Sequence, residues 1–238
     1  MSDLTTVSLS RQTGLLKELE VIANNIANAG TAGFKREASV FTEYVNRDVA
    51  GPSMSMGSLR GHYAVMDEGA YVKTGGVYDL AIGGEGFFAI QAQDGVYLTR
   101  GGQFGRDADG RLVNADGYAV LDDGGGTIEI PPEAVDVTVS PDGTISVDGL
   151  AQAQLGVFSA PPGSLERMGS NLWKPTESYA FIDNPIVRQG YVEQSNVNPV
   201  LEMARLVEAQ RLFEAGQSLM ESQGERTANM IRTLGDNR

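Results

Sequence analysis

The chain lacks cysteine altogether and has one histidine and one tryptophan among 238 residues. Without cysteine there are no disulfides, thiolate metal sites or cysteine nucleophiles. A single histidine leaves no His–His metal pair, and a Ser-His-Asp triad would have to use His62. Long apolar runs are missing too. Tyr118-Ala119-Val120-Leu121 is typical, so no transmembrane helix and no membrane insertion are expected. The start, Met1-Ser2-Asp3-Leu4-Thr5-Thr6, has neither the basic residues nor the apolar core of a cleaved signal peptide. Basic side chains are scarce, 18 against 31 acidic, for a formal net charge of −13. That balance argues against nucleic acid as a partner.

What is present is unevenly placed. Residues 1–36 carry four basic and three acidic side chains, and residues 199–238 carry five and six. The middle, 37–198, has nine basic and 22 acidic residues and so holds the whole net charge. Glycine follows the same division: 16 of the 30 lie between Gly75 and Gly149. Two nearly neutral, glycine-poor ends flank an acidic, glycine-dense centre.

The first end reads as a helix over about 4–28. Leu15, Leu19, Ile22 and Ile26 follow one helical stripe, and Leu4 extends it backwards; Leu9, Leu16 and Ala23 form a second seam at heptad spacing. The stop falls at Ala27-Asn28-Ala29-Gly30, where Asn and Gly accept left-handed backbone angles. The other end reads as a longer helix over about 199–234, opened by Asn198-Pro199. Leu206, Phe213, Met220, Thr227 and Leu234 recur every seven residues, with Met203, Gln210, Gln217, Gly224 and Ile231 as a half-polar companion column. Such a seam needs packing against something. Either it lies against its own domain, or the helices pack on each other and on other subunits.

The centre is β-rich. Short apolar runs at 80–82, 87–90, 96–98, 112–113, 118–121, 127–130, 135–139, 144–147 and 155–158 are candidate strands. Asp-Gly pairs such as Asp109-Gly110, Asp116-Gly117 and Asp142-Gly143 separate them, as hairpin turns require. Residues 37–75, with Gly51-Pro52-Ser53-Met54-Ser55-Met56-Gly57-Ser58, read as an extended connection. The expected fold class is α+β. The terminal helices pair as a coiled-coil-like stem, and the centre is an antiparallel sandwich or partly open barrel. The expected divisions are 1–36, 37–75, 76–195 and 196–238.

Chemical motifs fail one by one. Gly84-Glu85-Gly86-Phe87-Phe88-Ala89 matches a dinucleotide fingerprint, but a strand follows where a helix N-terminus is needed, so it reads as a tight turn. Asp107-Ala108-Asp109-Gly110 suggests a calcium loop, yet its twelfth position is Tyr118, and it reads as a hairpin turn. His62 reads as a surface residue and Trp173 as a packing anchor. No catalytic residue, metal ligand or cofactor is expected.

Residues 24–36, Asn24-Asn25-Ile26-Ala27-Asn28-Ala29-Gly30-Thr31-Ala32-Gly33-Phe34-Lys35-Arg36, closely resemble the N-terminal signature of the flagellar rod and hook proteins. Three later segments agree in order. They are Leu80-Ala81-Ile82-Gly83-Gly84-Glu85-Gly86-Phe87-Phe88, Tyr97-Leu98-Thr99-Arg100-Gly101-Gly102-Gln103-Phe104, and Gln189-Gly190-Tyr191-Val192-Glu193-Gln194-Ser195-Asn196-Val197-Asn198. The short connection and Thr74-Gly75-Gly76-Val77-Tyr78-Asp79-Leu80-Ala81-Ile82 are more similar to the proximal rod branch, with the distal rod branch as the alternative.

The resemblance implies a non-enzymatic subunit that assembles with copies of itself and other rod subunits into a hollow helical tube. It implies passage through the flagellar export apparatus without a cleaved signal, and residence in the periplasmic rod of the basal body. The motif residues it singles out are Asn24, Asn25, Ala27, Asn28, Gly33, Phe34 and Lys35 near one end. Near the other they are Gly190, Val192, Glu193, Ser195, Asn196, Val197 and Asn198. The implied assembly interface is Leu15, Leu19, Ile22, Ile26, Leu206, Phe213, Met220 and Leu234. Two other readings stand beside it: a secreted β-domain enzyme acting on peptidoglycan, which needs convergent carboxylates such as Asp107 and Asp109, and a carbohydrate- or calcium-binding β module.

Overall fold

The computed structural model describes residues 2–46, 54–161, 163–169 and 171–235. Gly51-Pro52-Ser53 and the side chains of Leu4 and Leu234 lie outside that description. The chain divides into two compact units. One comprises residues 1–27, 36–65 and 198–238; the other comprises 28–35 and 66–197.

The first unit contains helix α1 (Ser2–Ala27), strands β1 (Glu37–Asn46) and β2 (Met54–Ala64), and helix α2 (Pro199–Gly235). Both helices match their sequence stripes to within a few residues. Pro199 occupies the first helical position of α2, and Asn198 Oδ1 accepts from Val200 N at 3.1 Å and Leu201 N at 3.2 Å, which satisfies amides the helix itself cannot. Residues 37–64, expected as an extended connection, instead pair as an antiparallel hairpin from Glu37↔Ala64 to Asn46↔Met54, with a bulge between Val40 and Phe41. His62 is therefore on β2, where it is exposed.

The helices pack on each other, and the face they use corrects the expected companion column. Leu206, Phe213 and Met220 are partly buried, as expected of the heptad seam. The column beside them is Glu202, Ala209 and Gly216, whereas Met203, Gln210 and Gln217 are exposed. Small residues at 209 and 216 let the partner helix come close, and the polar column is left to water. No helix among the described residues is long and apolar enough to cross a membrane.

The second unit begins with β3 (Tyr71–Lys73), β4 (Leu80–Gly83), β5 (Phe87–Ala92), β6 (Gly95–Thr99), β7 (Phe104–Arg106), β8 (Leu112–Asn114) and β9 (Ala119–Val120). It continues with β10 (Val137–Val139), β11 (Thr144–Val147), β12 (Leu150–Gln154), β13 (Val157–Ser159), β14 (Leu165–Met168) and β15 (Leu172–Pro175). β16 (Ala180–Phe181), β17 (Ile186–Gln189) and β18 (Tyr191–Glu193) complete it. Strands β14-β15-β6-β5-β9-β8-β7 lie side by side, and β13 joins β5 to β16. β10-β11-β12 form a second sheet, while β17 pairs β4 and β18 pairs β3. Every pairing is antiparallel, as the hairpin turns imply.

The sheets share one core that includes Leu80, Ile82, Phe88, Ile90, Val120, Ile145, Leu155 and Val157. Phe88 meets Phe104 edge to face at 5.1 Å. The segment 84–86 is a bend between β4 and β5, with positive φ at Gly84 and Gly86, and a strand, not a helix N-terminus, follows the dinucleotide-like motif. Residues 127–130, expected as a strand, form only isolated bridges, Arg111↔Glu129 and Leu121↔Thr127. The Pro131-Pro132 that follows cannot donate to a ladder. Ile128 and Ile130 are still buried in the core.

Trp173 is buried on β15 and is the sole tryptophan, so its fluorescence reports on this unit alone. Leu155→Ala should cost about 2–5 kcal/mol, the range for a fully buried leucine. Urea unfolding followed by Trp173 emission checks it, the expected result being a lower midpoint at an unchanged slope.

Candidate functional site

The motif residues near the two ends fall into two polar clusters, one in each unit. In the β unit, Gly33 donates its N–H to Glu193 O at 2.9 Å. Gly33 has φ +70°, and a Cβ there would collide with the Arg100 backbone, so only glycine fits this step. Phe34 next to it is fully buried. The Arg167 guanidinium lies 4.6 Å from the Phe34 ring centre and 4.3 Å from that of Trp173, and donates to Lys35 O. Trp173 is thus a packing anchor, with a cation held against its ring.

Lys35 and Glu193 are each 1 % exposed. Lys35 Nζ donates to Glu193 Oε1 at 2.7 Å and to Asp67 O at 2.8 Å. Arg100 Nη1 donates to Glu193 Oε2 at 3.2 Å and to Ile82 O at 3.1 Å, and its Nη2 donates to Gly84 O. Gly69 N gives Glu193 Oε1 a further bond at 2.9 Å. Burial pulls the Lys35 ammonium below the ordinary lysine range; Glu193 works against that shift and Arg100 with it. Just outside, the Tyr71 hydroxyl lies 2.9 Å from both Glu68 Oε2 and Ile82 O. Burial first, and the Glu68 hydrogen bond second, push the Tyr71 phenol up to about 12.

The later motif supplies the other half of this cluster. Gly190 N donates to Asp79 O at 2.7 Å, and its carbonyl accepts from Thr74 N and Gly75 N. Val192 and Val197 are buried, Ser195 Oγ accepts from Val197 N at 3.2 Å, and Asn196 Nδ2 donates to Asp67 O at 2.9 Å. Asn28 starts the segment that leads in, its carbonyl accepting from Thr31 N at 3.1 Å.

In the helical unit Asn25 is the junction. Its Oδ1 accepts from Glu37 N and its Nδ2 donates to Glu37 O, both at 2.9 Å, which pins α1 to the start of β1. Nδ2 also reaches Glu202 Oε2 on α2 at 3.3 Å. Glu202, buried, takes Arg205 at 2.6 Å and Arg36 at 3.8 Å on its other oxygen. Asn24 and Ala27 lie on the same last turns of α1, half-buried and exposed respectively.

Of the expected interface residues, Leu15 and Ile22 are buried and Leu19, Ile26, Leu206, Phe213 and Met220 half-buried, all within the helical unit. The apolar side chains facing solvent are different ones: Leu9 and Leu16 on α1, and Val200, Leu201, Met203, Val207, Leu212 and Leu219 on α2. Asp107 and Asp109 do not converge on a cleft; both are held by Arg111, at 2.9 and 3.0 Å. Among the described residues no three His, Cys, Asp or Glu side chains gather to hold a metal ion.

Arg100, Arg167, Glu37 and Glu202 were absent from the expected site residues. Arg100 stands in a segment that carried the family resemblance, which was the available signal. Ion pairs spanning 158 and 93 positions, as in Lys35–Glu193 and Arg100–Glu193, leave no local pattern.

Family models match the chain in three places. They are a flagella basal body rod protein at 6–35, the flagellar hook protein FlgE/F/G D1 domain at 81–147, and the flagellar basal body rod FlgEFG protein C-terminal at 188–233. The flagellar basal-body rod protein FlgF of Caulobacter vibrioides is 37 % identical over 246 residues, covering 99 % of both chains. That of Mesorhizobium japonicum is 34 % identical over 239 residues, also covering 99 % of both. The flagellar basal-body rod protein FlgG of Bacillus subtilis is 33 % identical over 237 residues, covering 87 % of this chain and 90 % of the relative.

Removing the Glu193 carboxylate strands two buried cations, so Glu193→Ala should destabilise the β unit by about 3–5 kcal/mol. Glu193→Gln, which keeps an acceptor, should cost less; denaturant titration of both variants checks the order. A second expectation concerns Tyr71. Its folded value of about 12 lies above the ordinary 10.0, so its contribution to stability is whole below pH 10 and disappears as pH rises to 12. In an ultraviolet phenol titration, Tyr71→Phe should remove the latest-ionising tyrosine.

Proposed function

The chain belongs to the flagellar basal-body rod protein family, and on that premise we propose that it is a structural, non-enzymatic subunit of the proximal rod, of the FlgF kind. The observation that carries the proximal reading is length. The FlgF relatives align over 99 % of both chains, whereas the FlgG relative leaves parts of both unaligned. The subunit resides in the flagellar basal body and assembles there with other rod subunits and copies of itself.

Apolar side chains exposed along both helices support this assembly reading. Leu9, Leu16, Leu212 and Leu219 face solvent in a single chain, on surfaces with almost no net charge. Packing them against neighbouring helices buries apolar area without stranding charges. The inward seam of Leu15, Ile22, Leu206 and Phe213 holds the pair together as a coiled-coil-like stem, and the outward residues meet the next subunit. The expected interface residues Leu19, Ile26 and Met220 extend this stem. Head-to-tail contacts of this kind propagate a tube and do not close it. The acidic β unit stays hydrated and resists premature association. A chain without cysteine can pass unfolded through the flagellar export apparatus into an oxidising compartment with no bridge to break or misform.

Placing charges on the outward face tests this. Leu212→Glu with Leu219→Glu should leave the helical circular dichroism and the Trp173 unfolding midpoint of the purified chain unchanged. In cells lacking their own copy, the variant should fail to enter basal bodies and leave them non-motile. Normal incorporation and swimming would sink the assembly reading.

A further inference from the structure

α1 and α2 run antiparallel, because Gln12 meets the Phe213–Gly216 turn while Asn25 meets Glu202. The apolar part of their seam would accept a slide of one heptad, about 10 Å at 1.5 Å per residue. Two polar contacts would not. Gln12 is buried, and its Nε2 donates to Phe213 O at 3.0 Å. A Cβ at position 216 would collide with that nitrogen, so the glycine is a notch cut to the amide. Gln12 Oε1 finds no donor among the described residues, and losing the Nε2 bond as well would leave the whole amide buried without a partner. Twenty ångströms or so away along the helix, Asn25 reaches the buried Glu202 carboxylate.

The spacings agree. Gln12 and Asn25 are 13 positions apart in α1, and Glu202 and Gly216 are 14 apart in α2, so both contacts form together. A one-heptad slide that sets Ala209 against Gln12 closes the notch with a methyl group. The same slide sets Glu202 opposite Glu18, carboxylate against carboxylate.

We propose that Gln12–Gly216 and Asn25–Glu202 are the specificity-determining contacts of the helix pair, selecting one register out of the heptad-related ones that the apolar seam allows. Buried polar side chains in helix pairs select register at some cost in stability. The apolar residues supply adhesion, and these polar residues supply alignment. The expected assembly residues on the inward seam therefore keep a fixed axial position.

The test uses the full chain with Glu20→Cys and Glu221→Cys, both exposed, as spin-label sites; no native cysteine competes. Pulsed dipolar spectroscopy then reads the distance between the helices. The unaltered background and Gln12→Leu alone, which keeps the Glu202 contact, should give one narrow distance. Gln12→Leu with Glu202→Leu removes both polar contacts between the helices at nearly constant side-chain size, and should add a second population shifted by about 10 Å. A single unchanged distance in the double variant overturns the proposal. So does loss of helix pairing in that variant, which would make the polar contacts fasteners and not register selectors.

Discussion

The Glu193 carboxylate is the contact on which the β unit depends to hold together the segments that enter and leave it. A carboxylate buried to this degree is costly unless fully compensated. Here the compensation comes from three parts of the sequence: the Lys35 ammonium, the Arg100 guanidinium and the Gly69 amide. The second cation is charge in excess; Asp67 O accepts from Lys35 Nζ, and Ile82 O and Gly84 O accept from Arg100 Nη1 and Nη2, while Arg100 Nε has no partner among the described residues. One side chain thereby ties the segment after α1 to the segment before α2. Gly33, Phe34 and Arg167 complete the clasp, because the backbone passes too close to Arg100 for any residue but glycine.

The helical unit repeats the logic on a smaller scale. Asn25 mimics a strand neighbour, exchanging two hydrogen bonds with Glu37, and still has a proton for Glu202. Consecutive residues of one motif thus serve both units: Lys35 pairs in the β unit and Arg36 in the helical one. Once these polar groups are satisfied, the hydrophobic surplus remains on the outside of the helices. A stable monomer has little use for six exposed apolar side chains on one helix. A rod subunit does.

Much of this was legible in advance, and what was not has physical causes. The helix stripes, the Asn198-Pro199 start and the Asp-Gly turns are local signals and correspond to elements in the structure. The hairpin β1-β2 was not legible. Its second strand, Met54-Ser55-Met56-Gly57-Ser58, has the serine and glycine content of a loop, and pairing across the sheet overrides that preference. Strands β14 to β18 were missed for a related reason: Leu165-Glu166-Arg167-Met168 and Ile186-Val187-Arg188-Gln189 mix charges into very short runs. The companion column on α2 was misplaced because Ala209 and Gly216 carry no hydrophobic signal; their value lies in what they leave room for. The motif residues were found by resemblance, but their partners Arg100, Arg167 and Glu202 lie too far along the chain for spacing to connect them.

If the outward helix faces exist to meet neighbouring rod subunits, assembly must bury them. The most direct measurement is the maleimide labelling rate of a Leu212→Cys chain, compared between the purified subunit and isolated basal bodies. Leu212 is exposed in the single chain, so the purified subunit should react rapidly. The same cysteine should be strongly protected in basal bodies. Equal labelling rates in the two states would contradict the assembly role assigned to this face.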